Sequence, residues 1–451
     1  MNNKIPALFT DLYELTMAAV YFEREMFAPA TFSFFVRSYP KNWRFFIFSG
    51  LEEVLSALEA FSFSEDDLAY LESLGLFKPV FLDFLKDLRF TGDVWAMPEG
   101  TIFFTEEPVL EITAPLPQAQ LIETFVINSL CFNSLIASKA VRSVLAANGC
   151  TVVDFSARRT HGIEAALKVA RNSFLVGFSA TSNTLAGKLY RIPVTGTMAH
   201  SFIESFSSEA EAFSTFAEVF PENTVLLLDT YDTLTATKKA IALAKKLEAQ
   251  GKRLKGVRLD SGDIGYLAKE VRRLLDEAGL PYVKIFVSGG LDEYEIERLL
   301  KEGAPIDAFG VGTKVGVSAD APYLDAAYKL ACYDGRPVVK LSSGKKTLPG
   351  EKQVFRFKKE GLFQQDLVAL REEAFGARPL LEKVMEKGKR LKPEPALEEI
   401  RNYIQEALEC LPDKLKAVKP SEAGFYPVEM SSQLARLQKA VEQEIRRKEL
   451  I

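Results

Sequence analysis

The sequence predicts an α/β protein: an irregular, incomplete α/β barrel packed against a mixed α+β N-terminal domain, with a helical C-terminal extension. Three observations point there. From residue 151 onward, short apolar runs (TVVDF, FLVGF, IPVTGT, TVLLLD, KGVRLD, VKIFVS and AFGVGT) alternate with helical segments such as IEAALKVARNS and GYLAKEVRRLLDEAG. That alternation is the pattern of parallel βα units. The runs are apolar almost throughout, so both faces of their sheet are covered. Before residue 118, strands and helices mix without this regularity.

In chain order, TDLYELTMAAVYFEREM (10–26) carries a helical apolar stripe with Thr10 as N-cap candidate. ATFSFFVRSYP (30–40) and RFFIFSG (44–50) read as Phe-rich strands, LEEVLSALEAF as a helix, and residues 91–117 as short β runs broken by turn residues. Residues 119–149 form a helical stretch that is apolar on more than one face, which predicts burial between domains or subunits. After the βα series the chain reads β-like, then charged and helical over 375–451. The expected domains are 1–117, mixed α+β; 118–330, the α/β barrel; and 331–451, a β segment and helices packing back on the first domain.

A chain of 451 residues with 47% hydrophobic content exceeds one ordinary core. The net charge of −5 gives no reason to expect nucleic acid or an anionic membrane as partner. The four cysteines, Cys131, Cys150, Cys332 and Cys410, have no metal-ligand spacing and read as thiols of a reducing compartment. No uninterrupted apolar run is long enough to span a bilayer, and Asp11, Glu14 and Glu23 break the first helix. A cytoplasmic protein with small-molecule partners is the expectation.

The ends of the apolar runs carry the chemistry. They deliver Asp154-Phe155-Ser156-Ala157-Arg158-Arg159, Ser179 to Asn183 with Ser182, Gly196 to His200, Asp229-Thr230-Tyr231-Asp232, Arg258-Leu259-Asp260-Ser261-Gly262-Asp263, Ser288-Gly289-Gly290 and Gly310-Val311-Gly312-Thr313. In an α/β barrel such ends share one face, so a composite site is expected there. Gly289, Gly290, Gly312 and Thr313 suit close backbone approach to a phosphate. Arg158, Arg159 and Arg258 offer guanidinium forks for carboxylate or phosphate. Asp229 and Asp260 offer hard oxygens for Mg²⁺, while Asp232 and Asp263 serve equally well as helix caps. His200 is one of two histidines and opens a long helix; an imidazole beside Asp229 is suited to act as a nucleophile. The other, His161, follows Arg158-Arg159-Thr160 at a helix start.

The motifs TDLYELTM, DFSARRTHG, GFSATSNTLAGKLYRIPVTGTMAHSF, GVRLDSGD, FGVGTKV and KLSSGKKTLPGEKQVFR together resemble those of nicotinate phosphoribosyltransferases, from about residue 8 to the end. The resemblance implies transfer of the phosphoribosyl group of 5-phosphoribosyl 1-pyrophosphate to nicotinate, with Mg²⁺ and with ATP hydrolysis coupled through a phosphorylated His200. It implies a type II phosphoribosyltransferase fold and a homodimer with shared active sites. Phe155 and a Tyr13 from the second subunit would sandwich the pyridine. Arg258 would lie near the substrate carboxylate or ribose phosphate, with Ser261 beside it, and Arg158 near phosphate. Asp229 would orient His200, and Asp260 would bind the ribose or the magnesium pyrophosphate. Gly289, Gly290, Gly312 and Thr313 would cradle the 5-phosphate. Arg37, Lys340, Lys345 and Lys352 would reach phosphates across the dimer. A nicotinamide-using relative carries aspartate where this chain has Ser182, so the acid is the expected substrate. A quinolinate enzyme would be shorter and lack the ATP-using histidine, and a non-catalytic binding barrel would have no need of His200. Two positions depart from the family pattern: Ser156 replaces a glycine, and His161 replaces a glutamine.

Overall fold

The structure, a computed structural model, describes residues 7–342, 347–420 and 424–449. It divides into two compact units. The first holds residues up to Leu135, Tyr323–Leu415 and the segment from Pro420 onward; the second holds Ile136–Pro322 and Lys416–Lys419.

In the first unit, Pro29–Val36 is a central strand with every residue after the first buried. It pairs antiparallel with Ala326–Tyr333 on one side and Leu110–Pro115 on the other. This seven-stranded sheet therefore joins the two ends of the sequence. A second, four-stranded sheet is built on the hairpin Lys352–Lys359 and Leu362–Leu370. At the first helix, Leu12–Glu23, Asp11 and not Thr10 stands at the N-cap position, without a side-chain capping bond; the Thr10 hydroxyl donates to Glu14.

The division between the units falls within the helix Glu123–Ala147. By length and composition this helix could cross a membrane, yet 72% of its most apolar window is buried inside the protein. It also carries buried polar groups, among them Lys139, whose ammonium lies 2.7 Å from Glu293. Those groups suit a core helix with partners supplied by its own domain.

The second unit is built on a parallel six-stranded sheet. Its strands are β1 (Thr151–Asp154), β2 (Ala180–Thr181), β3 (Val225–Leu227), β4 (Gly256–Leu259), β5 (Lys284–Ser288) and β6 (Ala308–Val311). The order is β2-β1-β6-β5-β4-β3, so the first strand in sequence lies beside the last. Two predicted strands are corrected. FLVGF is not a strand: Phe174 and Leu175 end the helix Ile163–Leu175, Gly177 turns the chain at φ 124°, and β2 begins only at Ala180. An apolar run buried on all sides has the same composition in either state. IPVTGT contributes one bridge, Val194 to Thr181, because Pro193 lacks a donor for a ladder.

Candidate active site at the strand ends

Because β1 to β6 are parallel, their carboxyl ends emerge on one edge of the sheet. Arg258, the third residue of β4, is the best-anchored side chain there. One terminal nitrogen donates to Thr197 Oγ1 and, at 3.1 Å, to the Met198 carbonyl. The other lies 3.3 Å from Asp260. Its Nε is buried with no hydrogen-bond partner. The guanidinium carbon stands 5.9 Å from the Phe155 ring centre, within cation–π range.

Phe155 follows β1. It meets Phe286 edge-on, with centroids 5.5 Å apart and planes at 77°. The two rings fill the space over Gly310: a Cβ there would stand 2.8 Å from Phe155 and 2.9 Å from Phe286. Glycine in β6 is thus a packing requirement of the aromatic pair. A second glycine requirement lies at Gly289, with φ at 90°, where a Cβ would lie 1.8 Å from the Asp260 carbonyl oxygen. Any side chain would push the β5 turn off the β4 turn. Asp260 also accepts from the Ser288 hydroxyl, so these two strand ends are joined by backbone and side chain.

His200 begins a helix of one turn and a half, His200–Glu204, and a second helix starts at Glu209; the long helix expected after it is divided. Its Nδ1 lies 3.1 Å from Thr230 Oγ1. Asp229, expected to orient the ring, instead accepts from the Ser261 hydroxyl, and its other oxygen is buried without a partner. Thr230 stands next to that carboxylate in the sequence, and no local pattern marks the hydroxyl rather than the carboxylate as the partner of the imidazole. Asp232 and Asp263 cap the helices Thr233–Ala249 and Ile264–Glu277.

The glycines expected to cradle a phosphate lie at the ends of β5 and β6. Gly289 and Gly290 are exposed. The helix after them, Glu293–Lys301, is capped by Asp292 and begins with acidic residues. Gly312 precedes a single turn, Thr313–Gly316, with Thr313 exposed. A short helix and an acid-capped one supply less positive potential than the sequence suggested. Arg158 and Ser182 are exposed at the ends of β1 and β2, and so is His161.

The other expected residues belong to the first unit. Tyr13 is 47% exposed on its helix. Arg37 pairs with Asp325 at 3.3 Å. Lys340 is exposed, and Lys345 lies outside the described residues. Lys352 is corrected: it is buried, its ammonium 3.0 Å from Glu111 and 2.6 Å from the Gly350 carbonyl. A lysine so enclosed already has its counter-charge and would have to give up Glu111 and the Gly350 carbonyl to reach a phosphate.

Sequence reasoning also passed over Asp154, buried at the end of β1 and bound to Ser156 and Thr181. Burial raises its pKa, although both hydrogen-bond partners favour the ionised form.

Comparison with known proteins places this arrangement. Models for the nicotinate phosphoribosyltransferase N-terminal domain, the nicotinate phosphoribosyltransferase family and the C-terminal domain match residues 8–131, 150–359 and 371–438. A nicotinate phosphoribosyltransferase of Mycobacterium tuberculosis is 48% identical over 448 residues, covering 98% of this chain and 96% of its own. One from Bacillus subtilis is 37% identical over 461 residues, covering 94% and 93%. The crystal structure of human nicotinic acid phosphoribosyltransferase superposes with a TM-score of 0.86 at 29% identity, covering 96% of this chain and 99% of that one. On these matches, which run along nearly the whole sequence, the chain belongs to the nicotinate phosphoribosyltransferase family.

Proposed function

We propose that this protein transfers the phosphoribosyl group of 5-phosphoribosyl 1-pyrophosphate to nicotinate, giving nicotinate mononucleotide and pyrophosphate for NAD salvage. The observation that carries the reading is the Arg258, Asp260 and Phe155 group at the strand ends, in a chain of this family. The aromatic face of Phe155 suits a pyridine ring, and the Arg258 fork suits its carboxylate or the sugar phosphate. Ser182 is neutral where a carboxylate would repel an acid substrate.

In the reaction the C1–oxygen bond to pyrophosphate breaks, positive charge develops on the ribose, and the pyridine nitrogen bonds to C1. Positioning and charge stabilisation carry most of such a step. Asp260, held by Arg258 and Ser288, would meet the ribose. The residues present fit a magnesium ion that arrives with pyrophosphate. Asp229 and Asp260 are oxygen donors, and one Asp229 oxygen is buried and unpartnered. Among the described residues no cluster of three or more acidic, histidine or cysteine ligands exists, so substrate phosphates and waters would complete the shell. Bound magnesium would neutralise charge on the departing pyrophosphate.

Coupling to ATP belongs to the same proposal. With Nδ1 of His200 engaged by Thr230, Nε2 is the nitrogen that would accept the phosphoryl group. We read the sheet as an incomplete barrel, supported by the neighbouring first and last strands and by edges at β2 and β3. A homodimer in the cytoplasm, with Tyr13 of one subunit completing the pyridine site of the other, completes the proposal.

The test is a mass-spectrometric product assay with phosphoribosyl pyrophosphate, Mg²⁺ and nicotinate or nicotinamide, each with and without ATP. Nicotinate mononucleotide, increased by ATP in the wild type but not in His200→Ala, is the expected result. Unchanged ATP stimulation in that variant would remove the phosphohistidine, and product from nicotinamide alone would reverse the substrate assignment.

A further inference from the structure

Asp154 is 1% exposed and is held by hydrogen bonds alone, with no cation among the groups acting on it. One carboxylate oxygen accepts from the Ser156 backbone N–H at 2.8 Å; the other accepts from the Thr181 hydroxyl at 2.7 Å. Thr181 Oγ1 in turn accepts from the Asn183 N–H at 3.0 Å. This order fixes the proton. The Asn183 N–H occupies the hydroxyl oxygen as donor, so the hydroxyl hydrogen is directed at Asp154. Only an ionised carboxylate accepts at both ends without offering a competing donor. Backbone bonds run alongside: Ser182 N–H donates to the Asp154 carbonyl at 2.8 Å, and Phe155 N–H to that of Val311 at 2.8 Å. The carboxylate thus holds the residue after Phe155 and the residue before Ser182.

A buried carboxylate without a cation is costly. A neutral pair would hold two strand ends together at lower cost. What a neutral pair would not supply is a rigid, two-sided acceptor between these particular loops. We infer that Asp154 is a positioning residue which, through Thr181 and the Ser156 amide, fixes the placement of Phe155 relative to Ser182 and so sets the preference between acid and amide pyridines. The inference rests on the reading that Phe155 and Ser182 face the pyridine.

The experiment measures kcat and KM for nicotinate, nicotinamide and phosphoribosyl pyrophosphate in wild type, Thr181→Val, Thr181→Ser and Asp154→Asn. Thr181→Val is expected to lower kcat/KM for nicotinate by roughly 10-fold, mainly through KM, and to narrow the preference for nicotinate over nicotinamide. The KM for phosphoribosyl pyrophosphate stays at the wild-type value. Thr181→Ser restores both nicotinate parameters, because it restores the hydroxyl. Asp154→Asn keeps an acceptor for Ser156 but takes no proton from Thr181 while its amide faces that oxygen. It is expected to mimic Thr181→Val, and the double variant to lose no more than either single one. The role is overturned if Thr181→Val and Asp154→Asn leave the pyridine preference unchanged, if they depress kcat equally for every substrate, or if Thr181→Ser is no better than valine. A wild-type protein that forms no product from either pyridine overturns the underlying reading instead, and the role with it.

Discussion

Two sets of acid–base contacts, one in each unit, follow opposite rules. In the first unit, Arg356 and Asp366 are buried and complete. Nε of Arg356 lies 2.9 Å from the carboxylate, one terminal nitrogen donates to the Ile102 carbonyl at 2.8 Å, and the other meets the second oxygen. The Tyr426 hydroxyl also donates to Asp366, at 3.0 Å, and Glu107 stands beside it. Lys352 and Glu111 are similarly enclosed, with Ser33 and Arg371 also on the glutamate, although Arg371 Nε is itself buried without a partner. In the second unit, Arg258 and Asp229 each keep a buried polar atom without a partner, beside exposed glycine turns. Buried polar groups are nearly always satisfied, so unpartnered atoms at the strand ends leave room for a bound group to complete the set. Charge alone does not distinguish a structural pair from a binding group, and neither does an unmet bond by itself, since Arg371 Nε and Glu107 Oε1 in the first unit are also buried without a partner; at the strand ends the unmet bonds coincide with exposed glycine turns.

The largest effect that would test this contrast is on Arg258. Arg258→Lys keeps the charge but loses the planar fork. It should lower kcat/KM for nicotinate mononucleotide synthesis on the order of 10²-fold to 10³-fold, with little change in melting temperature. Steady-state kinetics and a thermal melt on the same preparation separate the two. An Arg258→Lys protein that melts far below wild type would make this cluster structural and break the contrast.

The reverse outcome is expected for Asp366→Ala. It takes from a buried guanidinium the carboxylate it binds, leaving Glu107 as the acid beside it, and should destabilise the protein by up to about 3–5 kcal/mol, while the folded fraction retains wild-type kcat. Denaturant unfolding with activity normalised to folded protein checks it. Lys352→Met comes next. Glu111 keeps Arg371, so the cost should be about 1–3 kcal/mol. The KM for phosphoribosyl pyrophosphate should not move. A tenfold rise in that KM would restore Lys352 to the phosphate role its sequence suggests.

Lys352 also illustrates what the sequence can and cannot say. Lys340 and Lys352 look alike in a lysine-rich stretch, yet one is exposed and the other buried. The partner that decides, Glu111, stands 241 residues upstream, in the seven-stranded sheet, and meets Lys352 at the start of a strand of the four-stranded one. Local pattern carries no trace of such a pairing. By contrast, β1, β4, β5 and β6 are readable directly, because β-branched runs bounded by Gly, Asp and Ser suit a covered parallel strand. FLVGF fails for a physical reason: it has no polar position to reveal a period of two or of 3.6. The strand-end residues are legible as a set because parallel strands put them on one edge. Their pairings are less so. His200 meets Thr230 and not Asp229, a choice set by side-chain direction at one strand end, to which sequence is blind.

Glu52 falls between the two rules and gives the smallest predicted effect. It pairs with Arg390 at 2.7 Å, yet burial, reinforced by Glu99, outweighs that partner and pushes its pKa up to about 7. The sign follows from linkage. A carboxyl raised in the folded state above its unfolded value near 4.5 stays protonated in the fold while the unfolded chain ionises. Stability is therefore unaffected below the unfolded value, falls as pH rises through the window to about 7, and is flat above it. Glu52→Gln removes that slope. Between pH 5 and pH 8 its melting temperature should rise relative to wild type by roughly 1–3 °C. Paired melts across this range check it. A constant difference would mean that Arg390 compensates Glu52 fully, and this pair would then join Arg356–Asp366 among the complete ones. A difference that shrinks toward high pH would mean the ionised pair is favoured, and that partial burial beside a single arginine is already enough to make a carboxylate structural.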